Sequence, residues 1–278
     1  VHNRNTGEYY AAKSLQVLSG RDRKKILREI GCLELCVQEN LIALVEAYEV
    51  EADPYSLVIV MKPWASYSLW NFLSNPDASR RAVLPWFKPS HANSNQQVYR
   101  IMSGIVAAVQ FLHQRSIKHK DIKPQNILLH LEDGRVRPIV TDVGESKVYR
   151  HGGSTDPMKS SYEYLAPEQQ LATDEVQSTL KADIWQLGCC FAMLLVVARR
   201  GTAGLYQLWH SFHNTDENCS CNIANQSGPF LSKLEEICTP SSALEEHAYQ
   251  IVLQMLERDP HARLDIMAVR QTLDFLLV

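Results

Sequence analysis

The chain has 278 residues, 45% of them hydrophobic, and its 28 basic and 31 acidic side chains leave a formal net charge of −3. That length and apolar content build a sizeable core and exclude global disorder, while the near balance of charge gives no ground for nucleic acid or an anionic membrane as the main partner. Seven cysteines, an odd number without the even spacing of a disulfide framework, fit a reducing compartment and an intracellular protein, cytoplasmic or nuclear.

Residues 1–17 read as a two-stranded hairpin turning at Thr6-Gly7, with "EYYAAKSL" as the second arm. From Arg21 to about Cys36, apolar Ile26, Ile30, Leu33 and Cys36 recur at three- and four-residue spacing among Lys and Arg, the pattern of an amphipathic helix. Two β-rich runs follow, "LIALVEAYEV" and "YSLVIVMKPW", separated by the turn "EADP". Beyond Lys62-Pro63 the pattern becomes helical: "SYSLWNFL", a long helix from about Gln96 to Arg115, and an apolar run from Leu187 to Ala198. That run is shorter than the roughly 20 residues that span a bilayer, so it reads as a buried helix and not as a membrane span. Pro85 to Asn95 and His213 to Gly228 read as surface loops. Strands first and helices afterwards predict an α+β protein of two lobes, with a cleft between them where a small ligand binds.

Five polar side chains stand out along this frame. In "SIKHKDIKPQNILLH", Asp121 is framed by Lys120 and Lys123, which keeps a carboxylate ionised and able to accept or orient a hydroxyl proton; Asn126 offers an amide oxygen to a hard cation. Taken alone, the segment also reads as a solvated charge cluster. Asp142 ends the strand-like run "PIVTD" just before the turn-permitting Gly144, and a carboxylate near an amide oxygen suits Mg²⁺. Lys13, buried on a strand, requires a counter-ion that Glu29 on the facing helix supplies, holding the ammonium where it meets phosphate. His210, His213, Cys219 and Cys221 are potential zinc ligands within twelve residues, but their spacing matches no standard finger, and a solvated loop is the favoured reading.

The ordered set resembles the protein kinase family over nearly the whole chain. The matching strings are Ala11-Ala12-Lys13, the helix residue Glu29, "HKDIKPQN", Asp142-Val143-Gly144, Ala166-Pro167-Glu168, Asp183-Ile184-Trp185-Gln186-Leu187-Gly188 and "RDPHARLD", which contains Arg263. The resemblance implies a bilobal kinase-like domain over 1–278, with a partial N-lobe at 1–61, a hinge at 62–66 and a mostly α-helical C-lobe at 67–278. It implies ATP and Mg²⁺ as cofactors and phosphoryl transfer to Ser or Thr of a protein substrate. On this reading Lys13 contacts the phosphates, Asn126 and Asp142 hold Mg²⁺, Asp121 orients the acceptor hydroxyl, and Lys123 screens charge on the transferred group. Adenine lies between Ala11 and Leu128, with Met61 guarding the back pocket and the backbones of Lys62 and Trp64 forming the hinge contacts. Lys123 and Ser161 together favour Ser/Thr over Tyr as the acceptor.

The pattern also departs from the family. Counting back from Lys13 places Val1 inside the second strand, so the Gly-rich loop is expected upstream of Val1, and the chain is expected to be cut into a domain and weakly active as it stands. A pseudokinase-like interaction module is the alternative function. Lys120 replaces the commoner Arg, so phosphorylation of Ser154 or Thr155, paired with Lys120 and helped by Arg150 or Lys159, is expected to act only modestly, with Ser161 an unmodified structural hydroxyl. Val143 replaces Phe and loses ring volume. Glu168 and Arg263 are expected to form a buried ion pair.

Overall fold

Alternation of apolar and polar side chains sets up the first sheet. In the computed structural model, which describes residues 1–51, 53–132, 134–143, 147–148, 162–170, 180–213 and 222–277, β1 (Ala11–Gln16) and β2 (Ala43–Val50) both pair antiparallel with the central β3 (Asp53–Lys62). The register sets Ala11 opposite Met61 and Lys13 opposite Ile59. The expected first arm of the hairpin is reduced to one bridge, His2 to Tyr9, because residues 4–6 are spent in a turn that Asn3 ties through its side chain to the amides of Asn5 and Thr6. Helix α1 (Gly20–Leu35) starts where Ser19 accepts a hydrogen bond from the Asp22 amide, and it packs on β2 with Ile26, Glu29 and Leu33 buried.

Beyond Lys62 helices dominate, as the sequence pattern predicts. Helix α2 (Leu69–Ser74) opens with a reciprocal capping box between Ser68 and Asn71. Helix α3 (Asp77–Val83) follows, and α4 (Ala92–Gln114) begins four residues before the expected Gln96, capped by the His91 side chain. Residues 85–95 are therefore not simply a surface loop. Phe87 is buried, and the buried Ser94 hydroxyl accepts from the Lys88 amide and donates to the Trp86 carbonyl, drawing the segment onto the core. Strand β4 (Ile117–Lys118) pairs with β7 (Lys147–Val148), and β5 (Ile127–Glu132) pairs with β6 (Arg135–Val140). The β5–β6 hairpin joins the two parts of the molecule: Ile42 N–H donates to the Val140 carbonyl and Val140 N–H to that of Asn40.

The centre of the core is the helical run α6 (Lys181–His213), which follows the single-turn α5 (Pro167–Gln170). The run is long and apolar enough to cross a membrane by composition, yet it is enclosed by α2, α4, α7 (Ser227–Ile237) and α8 (Ala243–Met255), which makes it a core helix of this fold. It extends well past the expected Ala198 and breaks at Gly201, where φ is 62° and ψ −154°. A side chain at that position would collide with the Asp77 carboxylate, which instead accepts from the Thr202 amide at 3.1 Å. Arg80 completes the joint. Its fully buried guanidinium lies 4.5 Å from the Phe87 ring centroid and donates to Asp77, to the Leu73 and Asn75 carbonyls and to the Thr202 hydroxyl. Helix α9 (Ile266–Phe275) closes the chain against α4.

Candidate active site

Lys13 stands on β1, an outer strand of the small sheet, and Glu29 faces it from α1. Lys13 Nζ lies 2.7 Å from Glu29 Oε1 and 3.3 Å from Asp142 Oδ1, so one ammonium joins a strand, a helix and the residue that follows β6 by two positions. Burial alone would lower the Lys13 pKa, but its hydrogen bond to Glu29 and the charges of Asp142 and Glu29 outweigh it and raise the pKa above the ordinary lysine value. The ammonium is thus fully protonated at neutral pH.

Asp142 adopts a left-handed backbone, φ 60°, a conformation that Asp reaches more readily than bulky residues do. The turn thus begins at Asp142 itself; Gly144, expected to make it, lies outside the described residues. Thr141, just before, is anchored twice to the Asn126 carbonyl, by its amide at 2.8 Å and its hydroxyl at 3.1 Å. Val143 is buried behind Asp142 and keeps its apolar contact.

The loop carrying Asp121 owes its shape to α6. Asp183, fully buried, accepts the His119 amide at 2.9 Å and the Lys120 amide at 2.8 Å, and His113 Nε2 lies 2.9 Å away. Three residues on, Gln186 accepts from the Ile122 amide at 3.0 Å and donates to the Lys120 carbonyl at 3.0 Å. These contacts hold Lys120 in its left-handed conformation, φ 75°. Burial would push the Asp183 carboxyl up, yet the His113 hydrogen bond, the charges of His113 and His119 and the His119 amide hold it below its ordinary value. Within the loop so formed, Asp121 Oδ2 accepts from Lys123 Nζ at 2.7 Å and Asn126 Nδ2 at 3.0 Å, and Asn126 Nδ2 also reaches the Asp121 carbonyl at 2.8 Å. Both Asn126 amide hydrogens are thereby used, and its amide oxygen has no hydrogen bond among the described residues.

Ala11, Lys13, Glu29, Met61, Asn126, Leu128 and Asp142 line a single cavity of about 300 Å³, with Ile42 and Leu33 forming its apolar side. Asp121 and Lys123 adjoin it through Asn126. Lys62 and Trp64 instead line a separate depression of about 500 Å³, where the exposed Trp64 indole stacks near Tyr9 at 5.7 Å between ring centroids. Neither residue lines the cavity that holds Lys13 and Asp142. Lys120, expected to pair with a phosphate on Ser154 or Thr155, is buried, and Asp121 accepts from Lys123. The Ser154, Thr155, Ser161, Arg150 and Lys159 positions lie outside the described residues, as do Cys219 and Cys221. His213 stacks on Trp209 at 4.8 Å and approaches Glu163 at 3.4 Å, and no cluster of three metal-ligating side chains occurs among the described residues.

Gln186, His113 and Thr141 are functional supports that sequence reasoning missed. The available signal was the pairing of Asp183 and Gln186 three residues apart inside an otherwise apolar helix, since buried polar groups require partners. Glu168 and Arg263 form the expected pair: the guanidinium donates to both carboxylate oxygens, at 2.8 and 3.0 Å, and also to the Glu257, Lys181 and Arg258 carbonyls.

Comparison with known proteins agrees with this geometry. A family model described as "Protein kinase domain" matches residues 1–273. Calcium-dependent protein kinase 21 of Arabidopsis thaliana is 27% identical over 93% of this chain and 43% of its own length. Serine/threonine-protein kinase 17A of Oryctolagus cuniculus is 29% identical over 69% of the chain and 45% of its own length, and a death-associated protein kinase related protein of Drosophila melanogaster is 30% identical over 69% and 26%. The chain thus matches less than half the length of each of these relatives. With the family model covering almost all of its residues, the chain belongs to the protein kinase family.

Proposed function

We propose that this domain transfers the γ-phosphoryl group of ATP to Ser or Thr hydroxyls of a protein substrate. The observation that carries the reading is the convergence of Lys13, Glu29, Asn126 and Asp142 on one cavity, with Asp121 joined to it by a hydrogen bond from Asn126. Lys13, fixed by Glu29, meets the phosphates as a point charge. Ala11 and Leu128 bracket the adenine, and Met61 closes the back of its pocket. Asp121, oriented by Asn126 and Lys123, accepts the hydrogen of the attacking hydroxyl, while the Lys123 ammonium screens charge on the phosphoryl group in flight.

The donor set fits Mg²⁺. Asn126 has its amide oxygen left over, and Asp142 has one carboxylate oxygen on Lys13 and a second to offer, which matches a hard cation that takes one or two protein oxygens and completes its shell with phosphate and water. When bound, the ion would neutralise phosphate charge. Ser/Thr preference rests on Lys123, and one relative carries that specificity in its name.

Calorimetry with Mg²⁺-ATP, followed by radiolabel transfer to a basic protein substrate and phosphoamino-acid analysis, tests the reading. Binding with label on Ser or Thr is expected. Binding without any transfer would favour the interaction-module alternative, and absence of binding would overturn the assignment of the cavity.

A further inference from the structure

On the surface away from Lys13 and Asp142, helix α4 crosses strand β6 unusually closely. A methyl group at Gly104 would come within 2.6 Å of the Pro138 ring and 3.1 Å of the Asn40 side-chain nitrogen, so only glycine permits the approach. With no side chain to fill the crossing, the surface is hollow there. Two adjoining depressions of about 640 and 550 Å³ share Arg100, Arg135 and Val136 as walls, and the second ends at the Trp86 indole and Gln97.

The charges in this trough are unevenly used. Arg137 donates to the Glu39 carbonyl at 2.7 Å and to Glu132 at 3.3 Å, so its charge is largely answered. Arg100 and Arg135 are exposed, and neither guanidinium has a hydrogen bond or ion pair among the described residues. The 550 Å³ half that both line, beside Trp86 and Gln97, contains no acidic side chain among the described residues; Asp133 lies outside them. Two open guanidinium forks beside an indole and an amide form a surface for carboxylates, because each fork accepts a carboxylate through two parallel hydrogen bonds.

We propose that this trough between α4 and the β5–β6 turn docks an acidic segment of a partner protein, with its carboxylates on Arg100 and Arg135 and an adjacent apolar or aromatic side chain against Val136 and Trp86. In the 550 Å³ half charge complementarity selects this occupant, since the carboxylates of Glu39 and Glu132 line only the other half: a basic segment would meet two uncompensated arginines, and a purely apolar one would bury them without partners. The proposal does not depend on phosphoryl transfer, since none of these residues lines the cavity that holds Lys13 and Asp142.

The test is fluorescence anisotropy of the 278-residue chain with a labelled glutamate-rich dodecapeptide containing one tryptophan, in parallel with a lysine-rich peptide of the same length. Saturable binding of the acidic peptide is expected, weakening as salt rises. The Arg100→Ala/Arg135→Ala variant should bind about tenfold more weakly at an unchanged melting temperature. Single Arg→Gln variants, which keep most of the side-chain bulk, should each give an intermediate loss. Equal affinity of wild type and double variant, or preference for the lysine-rich peptide, would overturn the proposal. So would a dimer seen by sedimentation in the wild type and absent in the double variant, because the occupant would then be a second copy of the chain.

Discussion

Two cation–carboxylate contacts, one between the neighbouring elements β1 and α1 and one between residues 95 positions apart, behave as opposites. Lys13–Glu29 joins a strand to a helix through a single 2.7 Å contact, with the lysine side chain 36% exposed and turned into a cavity. Arg263–Glu168 is bidentate, and the arginine side chain is 0% exposed, with its other donors on backbone carbonyls and its plane 5.3 Å from the Trp185 ring centroid. The first contact leaves donor capacity for a ligand. The second uses its capacity within the protein, and its loss would strand a buried charge. Exposure, more than the type of residue, separates a pair that is open to a ligand from one enclosed by the fold.

The comparison breaks most visibly if charge in the cavity is removed. Asp142→Asn is expected to lower phosphoryl transfer by about 10²–10³-fold or more, the scale for deleting one group that stabilises developing charge, with little change in melting temperature. A radiolabel assay beside a thermal melt reads both, and a large fall in melting temperature would mean that the cavity side is structural after all. Next in size is the buried side: Arg263→Ala should cost about 3–5 kcal/mol, or roughly 6–20 °C in melting temperature for a domain of this size, by leaving Glu168 uncompensated. Denaturant titration measures it, and Mg²⁺-ATP affinity of the folded protein should be unaltered.

Asp183 lies between these extremes, as a buried carboxylate whose partners shape the Asp121 loop. Its folded-state pKa is held down, so its stabilising contribution is present above the unfolded carboxylate pKa of about 3.9 and is lost as pH falls through the folded value. Asp183→Asn should therefore flatten the acid limb of the stability–pH curve, read by circular dichroism from pH 6 to about pH 2. An acid limb identical to wild type would remove Asp183 from that role. The smallest stability effect is expected for Glu29→Gln: a change within about 1 kcal/mol, because Lys13 is partly solvated and keeps Asp142 as a partner, with Mg²⁺-ATP binding weakened several-fold in calorimetry. A stability loss matching that of Arg263→Ala would erase the distinction between the two pairs.

Much of this site was legible as residue types in order. A lysine on a strand, a glutamate on the following amphipathic helix, a carboxylate and amide five residues apart, and a carboxylate at a strand end name the chemistry before any geometry is known, because ionisable groups placed among apolar runs must find partners. The Glu168–Arg263 pair was legible through the same family strings. The helical and strand periods were also correctly signalled for α1, β2, β3 and α6, where long apolar patterns dominate local choice.

What the sequence did not show was set partly by local side-chain contacts that composition does not signal and partly by contacts between residues far apart along the chain. The start of α4 at Ala92 is set by the His91 cap, and residues 85–95 fold inward through Ser94 and Phe87, against their polar composition. Lys120 and Asp142 take left-handed conformations themselves although neither is a glycine; the first is held by Asp183 and Gln186, more than sixty residues away. Gly104 and Gly201 look alike in the sequence, yet one allows a strand to approach a helix and the other makes room for Asp77. The sequence by itself determined which chemical groups the protein has and their order, since side-chain identity and apolar period are local properties. The tertiary structure decided which of those groups meet, which are shielded from water and which backbone strain is tolerated, because each of these depends on packing between segments that no local pattern encodes.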